Sequence, residues 1–174
     1  MALLADAPFK NEVEVLNYAL TLEHLEATFY REAVAKFAVA DYTAAGYQPS
    51  VREYIVAIAD HEKQHVDALT AVVTQLKGKP AKEAKYDFKY TDLASFLATA
   101  AVIEGVGVAA YTGAAQYLIK NKDLLTAALT IHGVEARHAS WLNVVTGAVP
   151  FPDAVNAPMT KDEVLAAAGP FIVG

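Results

Sequence analysis

Four stretches of this chain carry an apolar seam with the step of an α-helix, and each seam is broken near its middle by metal-ligand side chains. The first runs Leu16, Leu20, Glu23, Ala27, Tyr30, Val34, Phe37, and the second Val51, Ile55, Ile58, Glu62, His65, Leu69, Val72, Leu76. The third runs Leu97, Ala101, Glu104, Val108, Tyr111, Ala115, Leu118, and the fourth Leu124, Ala128, Ile131, Glu135, His138, Leu142, Val145. Apolar residues at steps of three and four form the stripe that a helix turns toward a bundle core. The pattern predicts an all-α protein, a four-helix bundle. Four glutamates and two histidines would face its axis at mid-length.

Charge balance says what those six residues are for. A buried, uncompensated carboxylate costs several kcal/mol even after relaxation. Four on one axis also repel one another, and no lysine or arginine lies on any seam. Four ionised glutamates and two neutral histidines are balanced by two divalent cations. Glu-x-x-His places both ligands one helical turn apart on one face. Carboxylate oxygen with imidazole suits iron or manganese, with zinc also possible. The chain has no cysteine, which excludes thiolate sites and iron–sulfur clusters.

The chain also repeats. Helix one matches helix three at an offset of 81: Glu23 with Glu104, Tyr30 with Tyr111, Ala33 with Ala114. Helix two matches helix four at an offset of 73: Glu62 with Glu135, His65 with His138, Leu69 with Leu142. This suggests a pseudo-twofold axis between two metals. Glu26 rivals Glu23 as the helix-one ligand, but its counterpart is Gly107 and it lies off the seam. Glu23 is the one assigned.

One Glu, then Glu-x-x-His, then one Glu, then Glu-x-x-His resembles the ferritin-like di-metal carboxylate superfamily. Tyr30, seven residues after the first glutamate, is matched in ferritins, bacterioferritins and rubrerythrins. The wording from Asn17 to Tyr30, followed by His61 to His65, is most similar to the bacterial ferritin-like group related to plant desiccation-related proteins. The resemblance covers roughly residues 10 to 147. It implies a long crossover between helices two and three. It also implies Glu23 and Glu104 as terminal ligands, Glu62 and Glu135 as bridges, and His65 and His138 on one metal each. Bacterioferritins often carry an acid before each Glu-x-x-His that orients a histidine. Here His61 and Val134 stand in those places.

The 174 residues are read as one domain, with the bundle over about 11–147 and a tail over 148–174. The net charge of −6 includes the four proposed ligands, so loading two divalent ions brings it to −2. No basic patch points to nucleic acid. No uninterrupted apolar run reaches the roughly 18 residues of a membrane span. Met1 to Asn11 lacks the basic segment and apolar run of a signal peptide. The expected compartment is the cytoplasm, or the periplasm or exterior if a leader has been removed.

Asn11 with Glu14 reads as the cap of helix one, which fades near Asp41 to Gly46. Ser50 with Glu53, after Pro49, reads as a capping box for helix two, which ends at Gly78 and Pro80. From Lys79 to Thr91 the seam stops, and Tyr86, Phe88 and Tyr90 alternate with Asp87 and Lys89, as in extended chain with one face buried. Thirteen extended residues reach roughly 43 Å, while a 26-residue helix is roughly 39 Å long. The segment can cross the whole bundle. Thr91 or Asp92 caps helix three, Asn121 to Asp123 turns into helix four, and Thr160 with Glu163 caps a short C-terminal helix ending at Gly169-Pro170. Phe151, Phe171, Ile172 and Val173 need cover from the bundle or a partner subunit, and a homodimer is expected.

Tyr30 and Tyr111 fall two turns beyond Glu23 and Glu104 on nearly the same face, so their hydroxyls need partners inside the core. Ligand glutamates are one candidate, which would give the tyrosines a redox role; simple core packing is the other. His24, His61 and His132 read as ordinary flanking residues. Gly105, Gly107 and Gly113 each cost helix three up to ~1 kcal/mol against alanine. They serve either close helix packing or passage of a small molecule to the metals. The function expected is a redox centre of ferroxidase, peroxidase or catalase type, in protection against oxidative or other stress. Its partners would be dioxygen, peroxide or Fe(II), and an external electron donor. The alternatives are a protein that holds metal without turnover, or a bundle that the metals merely staple.

Overall fold

The computed structural model describes residues 9–173; the leader-peptide reading rests largely on Met1 to Pro8, outside that range. The elements are α1 (Glu12–Lys36), α2 (Val39–Ala44), α3 (Pro49–Gln75), α4 (Leu93–Ala114), α5 (Lys122–Val145) and α6 (Lys161–Ala168). A 3₁₀ turn, Ala115–Leu118, extends α4, and another, Gly169–Phe171, follows α6. The architecture is all-helical, with α1, α3, α4 and α5 forming the expected four-helix bundle.

Most helix starts follow from their caps. Asn11 Oδ1 accepts from Glu14 N–H at 3.0 Å, Asp92 Oδ1 from Ser95 at 2.8 Å, Asn121 Oδ1 from Leu124 at 3.2 Å and Thr160 Oγ1 from Glu163 at 3.2 Å. These side chains satisfy donors that have no partner within the helix. The Ser50 capping box is not formed. Instead α3 begins two residues earlier, with Pro49 as its first residue and Gln48 as the cap residue. Proline lacks the N–H that would be unsatisfied there, and its fixed φ is already helical. The fading end of helix one is also sharper than expected. α1 stops at Lys36, and a separate short helix, α2, follows, with Asp41 accepting from the Ala38 N–H at 2.7 Å.

The segment after α3 crosses the bundle along α1. Asn17, early in α1, bonds Lys79 O and Ala81 N; Arg31 pairs with Glu83 at 2.8 Å; Lys36, in the last turn, reaches Tyr90 O at 3.4 Å. The crossing returns the chain to the end where α3 began, so α4 runs parallel to α3. The expected alternation holds: Phe88 is buried, Tyr86 and Tyr90 are half-buried, and Asp87 and Lys89 are exposed. Phe88, Tyr90 and Phe96 gather around Phe29 with ring centroids 5.0, 5.5 and 5.0 Å away. The C-terminus closes over the crossover. Asp87 N–H donates to Phe171 O at 2.8 Å and Val173 N–H to Lys85 O at 2.9 Å. Phe171 thereby finds cover against Phe88, while Phe151 stays 77% exposed.

One sequence-based expectation needs correction. α1 is buried on more than its seam, because the crossover and α6 cover its other faces; Leu22, Leu25, Glu26, Thr28 and Phe29 are all buried. Glu26 is therefore inside the protein. Window hydropathy also identifies one stretch, Leu93–Leu118, that is long and apolar enough to cross a membrane, although half of it is buried in the bundle.

Candidate metal centre

α1 supplies Glu23, α3 supplies Glu62 and His65, α4 supplies Glu104, and α5 supplies Glu135 and His138. All six are buried. Their ligand atoms form two overlapping groups, Glu23, Glu62, His65, Glu135 and Glu62, Glu104, Glu135, His138, each spanning no more than 4.8 Å, and either can hold a metal ion. Glu62 and Glu135 belong to both groups. That is the arrangement expected of bridging carboxylates between two cations.

The polar contacts fit this reading. His65 Nδ1 lies 3.2 Å from Glu23 Oε2, 3.1 Å from Glu62 Oε2 and 3.1 Å from Glu135 Oε1. His138 Nδ1 lies 3.1 Å from Glu62 Oε1 and 3.3 Å from Glu104 Oε2. One N–H cannot serve three carboxylates, whereas a cation at the point where they converge serves all of them. Glu62 Oε1, Glu104 Oε2, both Glu135 oxygens and His138 Nδ1 are buried with no hydrogen-bond partner. Each such atom costs about 1–3 kcal/mol when left unsatisfied, more when charged. The donor set of oxygens and imidazole nitrogens is chemically suited to a hard or borderline divalent ion.

Protonation shows the same frustration. Burial pushes Glu23 up to about 7, raises Glu104, and lifts Glu135 well above the usual carboxylate range, where Glu104 and Glu62 add repulsion. Burial disfavours the His65 imidazolium, but Glu135, Glu23 and Glu62 outweigh it and push His65 up to about 12. His138 is likewise raised to about 9 by Glu104 and Glu62 against the opposing effect of burial. Burial opposes the charged form of Glu62 too, yet the adjacent His138 and His65 imidazoles hold it down near 2. Among protein groups alone, two imidazolium charges offset only part of the four carboxylates, and protons on the raised carboxyls make up the rest.

Tyr30 donates to Glu104 Oε1 and Tyr111 to Glu23 Oε1, each at 2.5 Å. Both bonds cross from one repeat to the other, so each hydroxyl finds its partner on a glutamate of the opposite half. The chain belongs to the ferritin-like domain family. Its sequence matches that family over residues 11–148, which contains all six ligand candidates. A conserved hypothetical protein from Mycobacterium tuberculosis, known from its crystal structure, shares the fold with a TM-score of 0.65 and 19% identity, over 81% of this chain and 94% of that one. No curated protein matches the chain. A ferritin-like domain with buried Glu and His groups able to hold metal fits a di-metal carboxylate protein.

Two further residues lie at this ferritin-like centre, His61, which the sequence reading passed over as flanking, and Glu26, which it set aside as a ligand because it lies off the seam. His61 stacks on His138 with ring centroids 5.2 Å apart, and their ring nitrogens are 2.9 Å apart. If His138 turns Nδ1 to a metal, its Nε2–H donates to His61 Nδ1, which must be neutral. Burial and the neighbouring His138 lower the His61 pKa, favouring that form. The corresponding residue in the other repeat is Val134, which offers no such bond. The second residue is Glu26, whose carboxyl is raised well above its usual range by burial and by the Glu135 charge. The signals were present: His61 directly precedes Glu-x-x-His, and Glu26 has a glycine as its repeat counterpart. His24 and His132 are ordinary by contrast, reaching Ala81 O and Thr112 Oγ1.

The three α4 glycines divide. A methyl on Gly113 would lie 2.0 Å from the Met159 carbonyl, so this glycine serves close packing of the tail. One on Gly107 would lie 2.8 Å from Glu26 Oε1 and 3.3 Å from Glu135 Oε2, so this glycine makes room for a carboxylate. Gly105 has open space around it.

Proposed function

We propose that this ferritin-like protein is a redox enzyme whose centre, a pair of iron or manganese ions, reacts with dioxygen or peroxide in protection against oxidative stress. The observation that carries the reading is the set of five buried, unpartnered donor atoms on Glu62, Glu104, Glu135 and His138, placed between two glutamates already tethered by tyrosines. Glu23, Glu62, His65, Glu104, Glu135 and His138 would hold the metals, which when bound supply one electron each. The chain's own part is positional. Glu62 and Glu135 span the two positions, and His65 and His138 each serve one. Tyr30 and Tyr111 fix one oxygen of each terminal glutamate, leaving the other for metal. The apolar seams exclude bulk water. Electrons for repeated turnover would come from an external donor. A homodimer would cover Phe151 and the neighbouring exposed Val149 and Val155.

Elemental analysis of native protein should find two iron or manganese ions per chain. Stopped-flow mixing of the reduced, loaded protein with hydrogen peroxide should show a metal-centred spectral change faster than free metal gives. Loaded protein that stays spectrally silent would replace the redox reading with a metal-holding or metal-stapled bundle.

A further inference from the structure

Glu26 has no place in the six-ligand set. It is 2% exposed, and its oxygens are not among the fully enclosed, unpartnered atoms of the centre, which fits a carboxyl that opens on a cavity. One side of it faces the centre: the notch left by Gly107 is shared by Glu26 Oε1 and Glu135 Oε2. The other side lines a crevice between α1, α4 and the C-terminal segment, walled by Leu22, Leu25, Ile103, Val106, Ala167 and Phe171. Apart from Glu26 these walls are apolar. The crevice holds 20 Å³, room for about one water-sized molecule.

We infer that this crevice is the access and binding site for a small, uncharged oxidant, dioxygen or hydrogen peroxide, and that the Glu26 side chain is its inner gate. The inference rests on the redox reading above and names its substrate class. Size excludes organic hydroperoxides. The apolar walls exclude hydrated Fe(II), whose water shell has nothing to bond there. Glu26 and Gly107 line the inner side of the crevice, next to Glu135 of the centre. A larger apolar cavity of 50 Å³ between Leu16, Leu69, Leu124 and Ile131 has Tyr111 in its lining and no carboxylate. The Gly107 notch lets the gate carboxylate rest against the centre without touching backbone. This explains why the repeat pairs a glutamate with a glycine.

The test uses xenon as a small apolar probe and metal-loaded protein as the reactant. Crystals under xenon should show a site beside Leu25 and Ile103. Ala167→Phe, on the peripheral α6, should abolish that site and slow oxidation by hydrogen peroxide at least tenfold while two metals stay bound. Val106→Phe, from the α4 side, should do the same. Glu26→Ala should keep both metals and raise the rate with tert-butyl hydroperoxide, relative to hydrogen peroxide, at least tenfold. Wild-type rates in both plugged variants, xenon only in the cavity beneath Tyr111, or loss of a metal from Glu26→Ala would overturn the inference. If wild-type loaded protein does not react with peroxide, the redox reading fails, and the xenon sites alone decide whether the crevice takes a small guest.

Discussion

Tyr30 bonds not to Glu23, seven residues back on its own helix, but to Glu104 on α4, and Tyr111 returns the bond to Glu23. The two phenols thus tie the halves of the repeat together at the two terminal glutamates. Replacing either by phenylalanine leaves a buried carboxylate oxygen without its donor. A hydrogen bond to a charged group contributes about 1.5–3 kcal/mol. For a chain of this size each kcal/mol is worth roughly 2–4 °C. Tyr30→Phe and Tyr111→Phe should each lower the melting temperature of chelator-treated protein by several degrees, read by circular dichroism. An unchanged melting temperature would mean that the bonds contribute nothing.

Glu62 and Glu135 belong to both ligand groups, whereas Glu23 and Glu104 belong to one each. Glu62→Ala or Glu135→Ala should cost at least one ion and weaken the other. Glu23→Ala should affect one position chiefly. Elemental analysis and anomalous scattering distinguish these outcomes. Full occupancy in both bridge variants would remove the basis for a shared pair.

The His61–His138 contact has no counterpart beside His65, so the two metal positions are expected to differ. Loss of a group that orients a ligand histidine typically costs 10–100-fold in metal affinity. His61→Ala should weaken one of two Mn(II) binding steps by about that factor in titration calorimetry, and Val134→Ala should change neither. Equal weakening of both steps would contradict the asymmetry.

Protonation gives a stability profile with a definite sign. Glu23 is raised from 4.5 to about 7, so the folded state binds more protons than the unfolded state in that window, and stability falls as pH rises through it. His138, raised from 6.5 to about 9, contributes stability that is full below 6.5 and lost as pH rises through 9. Glu62, lowered to about 2, contributes the other way: its stability is present above 4.5 and lost as pH falls through 2. Metal-stripped protein should therefore lose stability from pH 5 to pH 9, and bound cations should replace the missing protons. The rise in melting temperature on Mn(II) loading should grow across that range, with proton release on binding at pH 7. A loading effect that is the same at every pH would refute this.

Gly113→Ala places a methyl against the backbone of Met159, which cannot rotate away as a side chain would. The tail is held there by Met159 N–H donating to Ala109 O at 3.1 Å. The substitution should release the tail, exposing it to limited proteolysis, even though alanine favours the helix by up to ~1 kcal/mol. Gly107→Ala has a movable carboxylate as its nearest neighbour and should leave the tail protected.

The bundle, its crossover and the six converging side chains were legible in the chain because they rest on periodicity. Leu20 and Glu23, or Ile131 and Glu135, declare their shared face by spacing alone. Extended chain from Lys79 to Thr91 declares its reach by length. What lies outside one helix's repeat was not legible. Glu26 looks solvent-facing from α1 alone, and is buried only because α6 and the crossover pack over that face. His61 looks like surface until α5 brings His138 against it. The Tyr30–Glu104 and Tyr111–Glu23 bonds could not be told from packing, since both phenols point inward either way. Spacing along a helix determines which side a residue faces. Which neighbour it meets there depends on how separate helices are set against one another, and only tertiary packing decides that.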